Sequence, residues 1–187
     1  MVKVIGLTGS IGAGKGEVGK FLVEKHGYAQ LTIGDVVREY LREHGMEITR
    51  DNSVKVSEEM RQKHGITYWV QKVVDKIRKE GYQKVVVDGV RLPSDDELLR
   101  KNFGKDYILI KVDASPNIRF ERLRERARPG FPKTIEEFKL HETRENRVFK
   151  LDETFKKAEA VIDNSTTLED LHNRTENLLK EKFPQWL

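Results

Sequence analysis

The run Gly9-Ser10-Ile11-Gly12-Ala13-Gly14-Lys15 fits G-x-x-x-x-G-K, and with its flanks it constrains the fold more than any other feature of the chain. Lys3–Thr8 precedes it, with an apolar Val-Ile-Gly-Leu core that does not alternate with polar residues, as in a strand covered on both faces. Val18, Phe21 and Leu22 follow at helical spacing. A glycine-rich turn between a buried strand and an amphipathic helix lets successive backbone N–H groups face a phosphate, backed by the positive end of the helix. Lys15 adds an ammonium that reaches the β- and γ-phosphates. The alternative, a glycine-rich turn without chemical significance, does not explain why the lysine stands where the helix opens.

Further apolar runs at Lys84–Asp88, 107–112 and Ala160–Asp163, and a shorter one at 29–33, predict four more strands. Between them, Val36, Val37, Tyr40 and Leu41 mark one helix, and Trp69, Val70, Val73, Val74 and Ile77 another. Ser94 with Glu97, Thr134 with Glu137 and Thr167 with Asp170 have capping-box spacing, and Ser115-Pro116 places an N-cap before a proline. Gly27, Gly45, Gly65 and Gly81 stand where helices should stop. This alternation predicts an α/β fold, a five-stranded parallel sheet flanked by helices, with a mostly helical region at about 34–81. Residues 126–133 (Arg-Ala-Arg-Pro-Gly-Phe-Pro-Lys) read as a short mobile lid.

A length of 187 residues suits one domain. No stretch approaches the roughly 18 to 20 apolar residues of a membrane span. Without cysteine there is neither a disulfide framework nor a thiolate metal site, and a cytoplasmic location is the expectation. Lys+Arg at 35 nearly balances Asp+Glu at 31, so a nucleic-acid partner is not expected. The five histidines are scattered without metal-ligand spacing.

One departure lies inside the loop motif. Gly16 stands where a Ser or Thr hydroxyl commonly binds Mg²⁺, and Glu17 follows. Glu17 reads either as a carboxylate that holds the metal through water or as a first-turn acid favoured by the helix dipole. Asp88 ends a Val-Val-Val run, which is how an acid is carried by a buried strand to the edge of a metal. Asp35 lies just past the second strand, where open α/β sheets bind ligands, although it could equally cap the next helix. Arg38 follows one turn later, placed either to grip an acceptor phosphate or to pair with Asp35.

Taken together, Gly6-Leu7-Thr8-Gly9-Ser10-Ile11-Gly12-Ala13-Gly14-Lys15, Ile33-Gly34-Asp35-Val36-Val37-Arg38, Val86-Val87-Asp88-Gly89-Val90-Arg91 and Val161-Ile162-Asp163-Asn164-Ser165 resemble the P-loop nucleoside monophosphate kinase superfamily. The opening and closing motifs are similar to dephospho-CoA kinase. Gly-Asp-Val-Val-Arg-Glu, Asp-Gly-Val-Arg and Ala-Ser-Pro-x-x-Arg-Phe-Glu-Arg-Leu are similar to the archaeal adenylate-kinase-related group. The resemblance implies transfer of the γ-phosphoryl group of ATP, with Mg²⁺, to a small nucleotide-type acceptor. It implies that residues 9–17 hold ATP with Lys15, that Asn164 and Ser165 border the adenine, and that Asp88 supports the metal. Arg38 and Arg91 would hold the acceptor and Asp35 would take its proton. Arg126 and Arg128, with Lys15, would act on the transferring group. A P-loop ATPase or regulatory NTPase remains the alternative. The acceptor and the oligomeric state stay open.

Overall fold

The computed structural model describes residues 2–126 and 132–187, with the Arg50 side chain left out. Its first half runs β1 (Lys3–Thr8), α1 (Lys15–His26), β2 (Ala29–Thr32), α2 (Ile33–Glu43), α3 (Arg50–His64), α4 (Tyr68–Glu80) and β3 (Lys84–Asp88). The second half continues with α5 (Pro93–Phe103), β4 (Tyr107–Asp113), α6 (Pro116–Glu125), α7 (Ile135–Phe149), α8 (Leu151–Phe155), β5 (Ala160–Asp163) and α9 (Leu168–Lys182). The five strands form one sheet in the order β2-β3-β1-β4-β5, and every pairing is parallel.

The Val-Val-Val run of β3 shows why these strands do not alternate. Val85 and Val87 join Leu41, Trp69, Val73 and Ile77 on one face of the sheet. Val86 points the other way, into Ile5, Leu22, Ile110 and Leu171. Helices cover both faces, so all three valines of β3 are buried, each contributing about 1.5–3 kcal/mol of burial. Trp69 takes the core role, buried, with Nε1 donating to the Ser57 carbonyl at 3.2 Å.

Several local expectations shift by a residue or two. β2 stops at Thr32, because Ile33 already opens α2, and β4 extends to Asp113. The Thr167–Asp170 box forms reciprocally, with the hydroxyl accepting at 3.1 Å and the carboxylate at 3.4 Å. Thr134 accepts from the Glu137 N–H at 3.2 Å, while the Glu137 carboxylate turns instead to the Lys133 N–H at 2.8 Å. The Ser94–Glu97 box does not form. α5 begins at Pro93, and the carboxylate of Asp95 accepts the Leu92 N–H at 3.1 Å and the Arg91 N–H at 3.4 Å. Ser94 thus falls inside the first turn, its hydroxyl buried without a partner.

The order 2-3-1-4-5 places β1 between β3 and β4. From β1 the chain proceeds to one side and later returns to the other, which opens a crevice at the carboxyl ends of these strands. The glycine-rich loop, Asp88 and the start of α2 all meet this edge.

Candidate active site

The loop folds as its glycines require. Gly9 has φ 143° and Gly14 has φ 98°. A Cβ on Gly9 would fall on the Val112 carbonyl, and one on Gly14 would fall on the Asn164 amide nitrogen. Both positions therefore need glycine for conformation and for space. Gly14 caps α1, so the unpaired N–H groups of the first turn open onto the crevice.

Lys15 leads α1, and its ammonium donates to the carbonyls of Gly9 at 2.7 Å and Ser10 at 3.3 Å. Burial pulls its pKa below the usual lysine range, Asp88 and Glu145 push it back up, and Arg91 and Arg119 lower it. Asp88 shows the converse. Burial raises its carboxyl above the usual range, Lys15 and Arg91 oppose this, and Asp35 adds to it. Lys15, Asp88, Arg91 and Asp35 thus form one electrostatic group at the ends of β1 and β3.

Arg38 pairs with Asp35 one turn earlier, its Nε donating to Asp35 Oδ1 at 3.1 Å, and both side chains are largely exposed. The intrahelical ion pair that the sequence spacing allows is therefore formed. Arg91 reaches outward to α7, where its Nη1 lies 3.1 Å from Glu145 Oε1.

On the opposite side of the loop, Gly14, Glu17, Arg122, Glu125, Arg126, Asn164, Leu168 and Leu171 line a cleft of about 420 Å³. Asn164 is buried there, donating from Nδ2 to the Ala13 carbonyl at 2.8 Å and accepting from Arg122 at 3.3 Å. Glu17 lines this cleft together with Arg122 and Arg126. Ser165 donates to Asp163 Oδ1 at 2.5 Å. Arg126 is exposed at the end of α6, and Arg128 lies outside the described residues.

Asp88 fits a divalent ion carried with ATP. It is a hard oxygen donor at the strand edge, and burial without such a cation makes its negative charge costly. Among the described residues, no group of three or more His, Asp or Glu side chains could hold a metal by itself. Mg²⁺ often binds through one or two carboxylates together with substrate phosphates, and this site offers that pattern.

Four side chains escaped selection from sequence. Arg119 is buried, with Nε donating to the Ala114 carbonyl at 2.8 Å, Nη1 to the Ile11 carbonyl at 3.4 Å, and an ion pair to Glu142. Its place in Ala-Ser-Pro-x-x-Arg was a usable signal. Glu142, Glu145 and Arg61 carried none, because each sits among other charged residues on a polar helix.

A sequence profile of the AAA domain matches residues 5–143. Among curated relatives, a UPF0200 protein of Thermococcus onnurineus is 33% identical over 181 residues, covering 95% of this chain and 97% of that one. A UPF0200/UPF0201 protein of Archaeoglobus fulgidus is 32% identical over 180 residues, and this chain spans only 55% of its length. Among solved structures, a gluconokinase from Sinorhizobium meliloti superimposes with TM-score 0.59 at 18% identity, over 98% of this chain and 97% of that one. Shikimate kinase from Acinetobacter baumannii, in complex with shikimate, gives TM-score 0.61 at 16% identity, over 100% and 96%. At such identities the likeness shows a shared fold, that of the P-loop kinases. The family follows from the profile and the sequence relatives: the chain belongs to the UPF0200 proteins and carries an AAA-type P-loop domain.

Proposed function

We propose that this protein is an ATP-dependent kinase that transfers the γ-phosphoryl group to a small nucleotide-type acceptor, and that residues 1–187 work as one P-loop kinase domain. The observation that carries this reading is the second charged centre beside the phosphate loop. Asp88 lies in the field of Lys15, Arg91 and Asp35, Lys15 lies in that of Asp88 and Arg91, and Arg38 adjoins through Asp35. Hydrolysis alone has no use for an anion site there, whereas transfer needs an acceptor held in line with the γ-phosphate.

In this reading the amides of residues 9–16 and Lys15 hold the phosphates, with Glu17, Asn164 and Ser165 toward the base. Mg²⁺ bound with ATP would be held from Asp88 and would neutralise phosphate oxygens. Arg38 and Arg91 exchange their present carboxylates for the acceptor's anionic group. Asp35, released from Arg38, accepts a proton where the acceptor oxygen is a hydroxyl. Arg126 and Arg128 close over the transferring group, where positioned cations stabilise spreading charge. The chemistry suits a nucleoside monophosphate or dephospho-CoA. No described helix is long and apolar enough to cross a membrane, and a cytoplasmic enzyme is consistent with that.

The test is ADP formation from ATP and Mg²⁺ across nucleoside monophosphates and dephospho-CoA, beside an acceptor-free control and the Lys15→Ala variant. Strong stimulation by one acceptor, lost in Lys15→Ala, is the expected result. Equal ADP release with and without every acceptor would leave the P-loop ATPase or regulatory reading. That second reading draws on one observation: Arg38 and Arg91 both already hold carboxylates.

A further inference from the structure

Arg61, on the polar helix α3, is a half-buried cation that no carboxylate pairs with among the described residues. Its Nε is sealed from solvent and has no hydrogen-bond partner. Among the described residues its guanidinium makes no hydrogen bond and no ion pair, whereas the comparable arginines all do. Arg91, Arg100, Arg119 and Arg174 each hold a carboxylate, and Arg122 holds an amide oxygen.

What Arg61 does have is a ring and a second cation. Its guanidinium carbon lies 6.0 Å from the centre of the Phe149 ring at the end of α7, and that of Arg91 lies 5.3 Å from the same centre. One aromatic ring therefore gathers two guanidiniums from distant segments. Burial lowers the pKa of Arg61, Asp95 and Glu58 oppose this, and Arg91 lowers it further. Asp95 acts on Arg61 only through its charge: its Oδ2 accepts the Leu92 and Arg91 backbone N–H groups, and among the described residues no hydrogen bond or ion pair joins it to Arg61. A desolvated guanidinium without an acceptor costs free energy, and a like charge beside it adds to the cost. An anion bridging the two relieves both. A carboxylate is satisfied by a single guanidinium fork, while a phosphate dianion has three oxygens to share between two forks.

We propose that Arg61 and Arg91 form a phosphate subsite at the acceptor end of the crevice, so that the acceptor carries a phosphate ester. Placing this subsite on the acceptor rests on the kinase reading; the anion binding does not. Free inorganic phosphate shares the chemistry, so both sources enter the test.

With the P-loop filled by a non-hydrolysable ATP analogue, calorimetric titrations would compare inorganic phosphate, nucleoside 5′-monophosphates and the matching nucleosides. The wild type should bind the phosphate-bearing probes more tightly than the nucleosides. Arg61→Gln should weaken phosphate-bearing probes by about 10- to 100-fold, the range for charged hydrogen bonds, and leave nucleosides unchanged. Arg61→Lys, which keeps the charge without the fork, should fall between and guards against a folding defect, checked by thermal melting. Equal affinities in wild type and Arg61→Gln overturn the subsite, as does a wild type that prefers no phosphate-bearing probe. Acceptor-stimulated turnover untouched by Arg61→Gln would sink the subsite and keep the kinase. Arg61-dependent phosphate binding without turnover on any acceptor would do the reverse. Binding of inorganic phosphate alone, with no affinity for any monophosphate, would overturn the assignment to an acceptor.

Discussion

Arg91, on the loop after β3, donates to Glu145 of α7 at 3.1 Å, although 54 residues separate them in sequence. The contact ties α7 to the phosphate edge of the sheet. Glu145 also raises the pKa of Lys15, and its second oxygen is buried without a partner. A carboxylate of α7 therefore lies against Arg91 and in the field of Lys15.

Glu145→Gln should free Arg91 for an incoming anion. The pair is partly exposed and screened, and such pairs contribute about 0.2–1 kcal/mol. A fall of about 1.5- to 5-fold in acceptor KM is expected, with little change in kcat. Steady-state kinetics on the acceptor found by the panel would check it; a KM that rises instead would mean that Glu145 holds Arg91 in its working position.

Gly14→Ala should damage folding and the nucleotide site together. The positive φ costs about 1–2 kcal/mol, and the added methyl meets the Asn164 amide that bonds the Ala13 carbonyl. Denaturant unfolding should show a loss of at least that size. Adding Asn164→Ala should restore less than half of it, because the backbone strain remains.

Asp88 predicts two pH dependences of opposite sign. Its folded pKa is raised, so between the ordinary carboxylate range and that raised value the folded state binds more protons than the unfolded state. Stability of the nucleotide-free protein should fall as pH rises through this window. Asp88→Asn should flatten that slope and raise the melting temperature at neutral pH. Affinity for ATP with Mg²⁺ needs the carboxylate charged and should increase with pH across the same window, and Asp88→Asn should weaken it about 10- to 100-fold. Melting curves and titrations over one pH series test both signs. A slope shared by Asp88→Asn would place its origin elsewhere.

Asp35→Asn separates acceptor chemistries. A hydroxyl must lose a proton during transfer, while a phosphate oxygen is already anionic. Loss of a general base should lower kcat about 10²- to 10⁴-fold on a hydroxyl acceptor and far less on a monophosphate. Equal losses on both would reduce Asp35 to the ion pair with Arg38 that the structure shows.

Much of the framework was legible in the residues themselves. The glycines of residues 9–14, the unbroken valines of β3 and the Thr167–Asp170 cap act over a few neighbours, so their meaning survives without the rest of the chain. The loop, the alternation of strand and helix, and the placing of Asp88 and Asp35 at strand ends followed from such local rules. The Arg38–Asp35 pair was likewise within reach, being three residues apart on one helix.

Tertiary structure alone decided which charges meet. Arg61 and Glu145 look like ordinary members of charged helices, and only the packing of α3 and α7 around Phe149 sets two guanidiniums on one ring. Glu17 reads from sequence as a metal carboxylate or a first-turn acid, and only the fold sets it on the lining of the same cleft as Arg122 and Asn164. Asp95 displaced Ser94 from the cap of α5 because its carboxylate reaches the backbone of the preceding loop. Local conformation is set by each residue's own stereochemistry and near neighbours. The field at a site is the sum of charges brought from far along the chain, and only the fold brings them there.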